Sequence, residues 1–293
     1  MNGGLRVPRR IYAVFVLPSL LVYLLLVFFP ILTSVYFSML NWSGIGKSKF
    51  IGLQNFVNLF TKDPVFWTSL KNTFLIVGYS LIELPLTFLI AILVNRHVRR
   101  SNFLISVYFI PIIMSSVVVG QLWKAIYNPV SQGGMLNKIL ISTGLESWTK
   151  AWIADPSTAI YALIIVGMWQ VFGYYVLLYF TAIRGIPDEL FEAARIDGAE
   201  GLKADLHITL PLVGYVIKIS TILMVVGALK AFDIVLVMTG GGPAHKTEVI
   251  SSYMYNMSFI SLKYGYGSAL STVLVLLCLI ATVIMNKAFK RFD

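Results

Sequence analysis

The stretch Glu192–Pro211, EAARIDGAEGLKADLHITLP, is a polar island between two long apolar runs. Six of the thirteen acidic residues fall between Asp188 and Asp205, in a chain where only 12% of residues carry charge. A chain that is otherwise apolar places its charge where it meets water, so the island reads as a surface for a partner. From the residues alone an ordinary solvated loop with a charged helix is an equal reading, because charge runs usually are solvated faces.

A second set of candidates lies within apolar segments, where an ionisable group is expensive and usually faces a bundle interior. Glu83 stands two residues before Pro85, and its first reading is an interhelical hydrogen bond, with a solute contact second. Lys230 and Asp233 are three apart, which on a helix puts them on one face, as a local ion pair or as part of a polar cavity wall. Trp123 and Tyr127 suit an interfacial aromatic girdle. Trp169, Gln170, Tyr174 and Tyr175 crowd another apolar run, and Gln170 beside Trp169 is harder to assign to a girdle. Sugars bind on aromatic faces with a few polar groups fixing their orientation. The candidate solute-path residues are therefore Gln121, Trp169, Gln170, Tyr174, Lys230 and Asp233. The three histidines, His97, His207 and His245, are scattered and read as surface residues rather than metal ligands.

The elements that position these groups follow from composition. The chain has 293 residues, 58% hydrophobic, against about 45–50% apolar and about 25% charged in soluble domains, so it belongs in a membrane. The single Cys278 supports neither a disulfide framework nor a thiol metal site. The net charge of +10 is spread along the chain and argues for membrane topology rather than nucleic acid. A span needs roughly 20 apolar residues. Six fit, at about 11–36, 70–94, 103–126, 158–181, 212–235 and 266–288, each helical because backbone groups in hydrocarbon must be satisfied within the segment. They make one all-α transmembrane domain over residues 1–293. The basic, then apolar N-terminus mimics a signal peptide, but its apolar run is too long and reads as a retained first span. Placing both termini and the 182–211 loop inside puts all nine arginines on the cytoplasmic side, as the positive-inside rule requires.

Within the loop, Ile186-Pro187-Asp188-Glu189 predicts a helix start, with Pro at the first turn and acids near the N-terminus. Leu190, Phe191, Ala194 and Ile196 would form its apolar side, and Asp197-Gly198 would end it with Gly in the left-handed cap. A second short helix over residues 199–207 would follow before Leu210-Pro211 turns the chain back. Gly46-Lys47-Ser48 mimics the end of a phosphate-binding loop, but Asn41 stands where the motif needs glycine. No nucleotide site is expected.

The loop resembles the EAA loop of binding-protein-dependent ABC importer permeases, whose pattern is EAA, a Gly six residues after the Glu, then Ile-x-Leu-Pro. Glu192, Ala193, Ala194, Gly198, Ile208, Leu210 and Pro211 match it, with nine positions from Ala199 to Ile208. Phe50–Phe56, Trp123–Pro129, Ile186-Pro187 and Thr239–Pro243 resemble the carbohydrate-importer branch of that family. The resemblance implies a type I ABC importer permease with six spans and cytoplasmic coupling helices that sit in a groove on an ATPase subunit. The residues it implicates in coupling are Glu192, Ala193, Ala194, Asp197, Gly198, Ala199, Leu210 and Pro211. It further implies a multi-pass bacterial inner-membrane protein paired with a second, similar permease, two ATPase subunits that use ATP and Mg, and an extracytoplasmic solute-binding protein. The solute would be a sugar or oligosaccharide, and this chain itself would be no enzyme and bind no cofactor. Two positions depart from the pattern: Asp205 stands where Phe is usual, and Tyr215 where Pro is common. A carboxylate in place of an aromatic wedge leaves the packing of the second half of the loop open.

An ion-coupled secondary transporter is the alternative, but it expects inverted repeats and several intramembrane carboxylates, and only Glu83 qualifies. A membrane-embedded enzyme would need a metal cluster or a nucleophile–base pair at membrane depth.

Overall fold

The computed structural model describes residues 9–290. Five helices are long and apolar enough to cross a membrane: Val14–Phe37, Pro64–His97, Ala159–Arg184, Gly214–Met238 and Tyr264–Ala288. Ser101–Ile113 and Ser116–Tyr127 make a sixth crossing if taken together, although they meet at a bend of 95°. The third span expected at about 103–126 falls on this bent pair. Pro111 removes a backbone donor inside the first piece, Met114 is extended, and Ser115 caps the second piece by accepting from the Val118 amide.

The described residues fall into two compact units. The first runs to Lys62 and resumes over Met254–Val273. After its apolar first helix the chain forms a two-residue antiparallel ladder, with Leu40 opposite Phe50 and Asn41 opposite Lys49. Asn55, on the short Gln54–Lys62 helix, is buried and donates to the carbonyls of Ser38 (2.8 Å) and Leu40 (2.9 Å). The motif Phe50–Phe56 therefore acts as a structural clasp. Trp42 packs between Phe37 and Tyr264, at ring-centroid distances of 4.8 and 5.8 Å.

The second unit comprises Asp63–Tyr253 and resumes at Leu274. Its long helix starts at Pro64 rather than near 70, because Asp63 caps it. One carboxylate oxygen accepts from the amides of Val65 (2.9 Å) and Phe66 (3.1 Å), and the other accepts from the Tyr253 hydroxyl (2.7 Å). Burial, then the Asp63 carboxylate, push the Tyr253 phenol above its ordinary pKa, so it remains the donor. Asn72, farther along this helix, donates to the carbonyls of Lys246 and Glu248, both at 2.8 Å, and ties down the turn that follows Thr239–Pro243.

The core of this unit is organised by Ala159–Arg184, which packs against Pro64–His97 and Ser101–Ile113. Tyr179 is fully buried among Val176, Ile183, Ala91 and Val213, meets Phe88 edge-on at 5.3 Å, and shares a 2.6 Å hydrogen bond with Ser220. Gly173 sets the closest approach: a methyl group there would collide with the Tyr108 carbonyl. Without a driving force from water, helices in lipid associate through such close packing at small residues. Gly173→Ala is therefore expected to destabilise the protein by about 1–3 kcal/mol, the usual cost of overpacking. A lowered thermal-unfolding midpoint of the purified protein checks this, and an unchanged midpoint would contradict it.

Candidate functional site

Asp188–Ile196 forms the helix expected in the loop, with Asp188 and Glu189 in its first turn and Arg195 in its last. Its end is a Schellman motif: the Ala199 amide donates to the Ala194 carbonyl (2.8 Å) and the Gly198 amide to the Arg195 carbonyl (3.0 Å), with Gly198 at φ 71°. Ala194 is buried and Phe191 half-buried, while Glu192, Ala193, Asp197 and Gly198 are exposed. Of the apolar side expected from Leu190, Phe191, Ala194 and Ile196, Leu190 is 43% exposed and Ile196 88%. At 3.6 residues per turn Ile196 lies two positions, and more than half a turn, from Ala194. Leu202 and Leu206 are also turned outward, at 69% and 52% exposed.

The second limb is shorter and less regular than the helix expected at 199–207. A single turn, Leu202–Ala204, passes into a π-turn, Asp205–Thr209, and on into Leu210–Leu212. Leu210 is half-buried and Pro211 exposed. Asp205 answers the packing question its identity raised. It is buried, and one carboxylate oxygen receives the Arg96 guanidinium at 2.6 Å and the Thr209 hydroxyl at 3.3 Å. The same guanidinium nitrogen donates to the Gly201 carbonyl at 2.9 Å. Arg96 sits in the last turn of Pro64–His97, so the ion pair pins the outgoing limb to the end of that helix. Sequence reasoning used Arg96 only for topology. The available signal was that a carboxylate in an aromatic position needs a cation near it. A cleft of about 570 Å³ opens beside this junction, with Arg96, Asp188, Arg195 and Asp205 among its lining residues.

The solute-path candidates separate into two groups. Gln170, Lys230 and Asp233 line a cavity of about 280 Å³ together with Ser80, Glu83, Ser116 and Tyr175. Gln121, Trp169 and Tyr174 are not in its lining. Gln121 is exposed, Trp169 stands edge-on to Trp123 at 5.5 Å, and Tyr174 edge-on to Tyr175 at 5.2 Å. Gln170 has a structural duty as well, since its amide donates to the Met114 carbonyl at 3.3 Å, at the break between the two bent helices. Lys230 and Asp233 form no ion pair with each other among the described residues. The helix ends at Leu229 and restarts at Asp233, so the three-residue spacing does not put them on one continuous face. Glu83 was expected to bond across helices, yet it is 1% exposed and neither carboxyl oxygen has a hydrogen-bond partner among the described residues. The histidines stay apart: His97 and His207 bond within their own turns, to the carbonyls of Leu93 and Lys203, and His245 lies 3.3 Å from Glu248.

Removing one member of the Arg96–Asp205 pair strands a mostly buried charge. Loss of a fully buried partner costs about 3–5 kcal/mol, and the 31% exposure of the Arg96 side chain reduces this to roughly 1–3 kcal/mol. Arg96→Gln and Asp205→Asn should each lower the unfolding midpoint, with the double variant losing less than the sum. Strictly additive losses would show that the pair is not coupled.

A family model described as "Binding-protein-dependent transport system inner membrane component" matches residues 83–292. The chain is 39% identical to the probable ABC transporter permease protein YurN of Bacillus subtilis (strain 168), over 94% of each chain. It is 31% identical to the diacetylchitobiose uptake system permease protein NgcF of Streptomyces coelicolor, covering 94% of this chain and 78% of that one. Its fold is similar to that of a chain in a bacterial alginate ABC transporter, solved in complex with an alginate pentasaccharide-bound periplasmic protein. There the TM-score is 0.83 at 22% identity, with 96% of this chain and 94% of the other covered. The chain belongs to the inner-membrane permease family of binding-protein-dependent ABC transport systems.

Proposed function

We propose that this permease forms half of the translocation path of an ATP-driven importer for a sugar or oligosaccharide, and that Glu192–Pro211 is its contact with an ATPase subunit. A second, homologous permease completes the path, a solute-binding protein delivers the ligand from outside, and two ATPase subunits supply the force. The chain is no enzyme in this reading: ATP and Mg act on the partners. Both termini and the loop face the cytoplasm.

The observation that carries this reading is the loop surface. Ile196, Leu202 and Leu206 project outward on a segment that also carries exposed Glu192 and Asp197. Burying a large aliphatic side chain is worth roughly 1.5–3 kcal/mol, so three of them, ringed by charge, suit a protein groove better than bulk water. The solute class is supported by NgcF, named for diacetylchitobiose uptake, and by the alginate transporter.

The geometry also supplies a route for force. Arg96 and Asp205 bind the loop to the last turn of Pro64–His97. That helix reaches Glu83 and Ser80 in the cavity wall, about 20 Å away at 1.5 Å per residue. Closure of the ATPase pair would displace the loop, and the helix would carry that displacement to the cavity. Nucleotide then biases a two-state membrane element with which it makes no contact.

Gly198 gives the sharpest test. Proline can adopt neither its positive φ nor its amide bond to Arg195. In the assembled transporter, Gly198→Pro and Glu192→Ala should reduce solute uptake about tenfold or more while ATP hydrolysis persists and the protein still inserts. Uptake at the wild-type rate in Gly198→Pro would refute the coupling role.

A further inference from the structure

Glu83 is a buried carboxyl that the fold leaves unpaired. It lies mid-helix, is 1% exposed, and both carboxyl oxygens lack a hydrogen-bond partner among the described residues. Pro85 removes a backbone donor two residues farther on, freeing a carbonyl that a protonated Glu83 could have bonded, yet no such bond forms. Buried polar groups are almost always paired, and each exception calls for a reason.

The reason lies in where Glu83 sits. It lines the cavity of about 280 Å³, close to the lower end of the roughly 300–1,000 Å³ typical of small-molecule sites, with the hydroxyls of Ser80, Ser116 and Tyr175 and the amide of Gln170. The rest of the wall includes Ile76, Leu163, Met168 and Met224. Hydroxyl, amide and charged groups, Lys230 and Asp233 among them, share this wall with aliphatic surface, which matches a solute that is rich in hydroxyls and has an apolar C–H face. An apolar residue would pack better at position 83 if packing were its only task.

We propose that Glu83 is a solute-binding residue, whose carboxyl pairs with hydroxyl groups of a carbohydrate in this cavity. The inference rests on the proposed function for the passage of a sugar and adds the group that recognises it. In the empty protein the unpaired carboxyl is destabilising. In the loaded protein the solute satisfies it. Glu83 thus trades stability for recognition, the opposite of a residue that holds helices together.

The test uses the whole transporter, with partner permease, ATPase subunits and binding protein, carrying Glu83→Met or Glu83→Gln. Unfolding temperature is measured without solute, and uptake is measured with radiolabelled lactose, maltose, trehalose and diacetylchitobiose. Met, apolar and of similar length, should raise the unfolding temperature yet cut uptake by about tenfold, the equivalent of one or two lost hydrogen bonds. Gln, which keeps the shape and the hydrogen bonding, should stay within about threefold of wild type. A lower unfolding temperature for Glu83→Met would make Glu83 a structural anchor, and uptake equal to wild type would leave it without a role in recognition. Either result overturns the inference while leaving the permease reading intact. A wild-type transporter that imports none of the four sugars would overturn the sugar assignment itself, and with it the carbohydrate role of Glu83.

Discussion

In hydrocarbon, a polar group without a partner has no water to turn to, and that constraint accounts for most of the irregular features of this permease. Several places where the chain departs from a straight apolar helix are matched by a side chain placed to answer them. Asp63 satisfies two amides at the start of Pro64–His97 and receives the Tyr253 hydroxyl. Gln170 donates to the carbonyl at the 95° break between Ser101–Ile113 and Ser116–Tyr127. Arg96 neutralises the buried Asp205 and bonds the Gly201 carbonyl in the same stroke. Against this background the two unpaired oxygens of Glu83 belong to a residue in the wall of the cavity that Ser80, Gln170 and Met224 also line.

The same constraint explains how a loop can be both firm and available. Ala194 and Phe191 seat the first helix, and the Schellman turn at Gly198 closes it without help from any distant side chain. The second limb has almost no regular helix to stiffen it. Its rigidity comes from the charge-assisted bond to Arg96, stronger than a neutral hydrogen bond and specific in direction. With its polar backbone answered from behind, the loop is free to present Ile196, Leu202 and Leu206 outward. A partner that grips those side chains acts on a segment fixed to the long helix.

Much of this was legible in the residues. Long apolar runs located the spans, because their signal is summed over some twenty positions and survives local error. The first loop helix and its glycine stop were legible because caps are local chemistry. What escaped needed tertiary information. The break after Ile113 has a proline and two serines to announce it, but only packing decides whether such a sequence kinks or snaps. Ile196 was misplaced by reading apolar type without its helical angle. Lys230 and Asp233 were assigned to one face on the assumption of a helix that in fact stops between them. The role of Arg96 depends on a contact spanning more than one hundred positions of chain, which no local pattern encodes.

The central claim is that an ATPase subunit grips the outward face of the Glu192–Pro211 loop. Site-specific photocrosslinking from position 196 in the assembled transporter tests it most directly. The account predicts a covalent adduct with the ATPase subunit, formed from the cytoplasmic side and altered in yield by ATP. An adduct with the solute-binding protein, or labelling of position 196 by an impermeant reagent applied from outside, would contradict it.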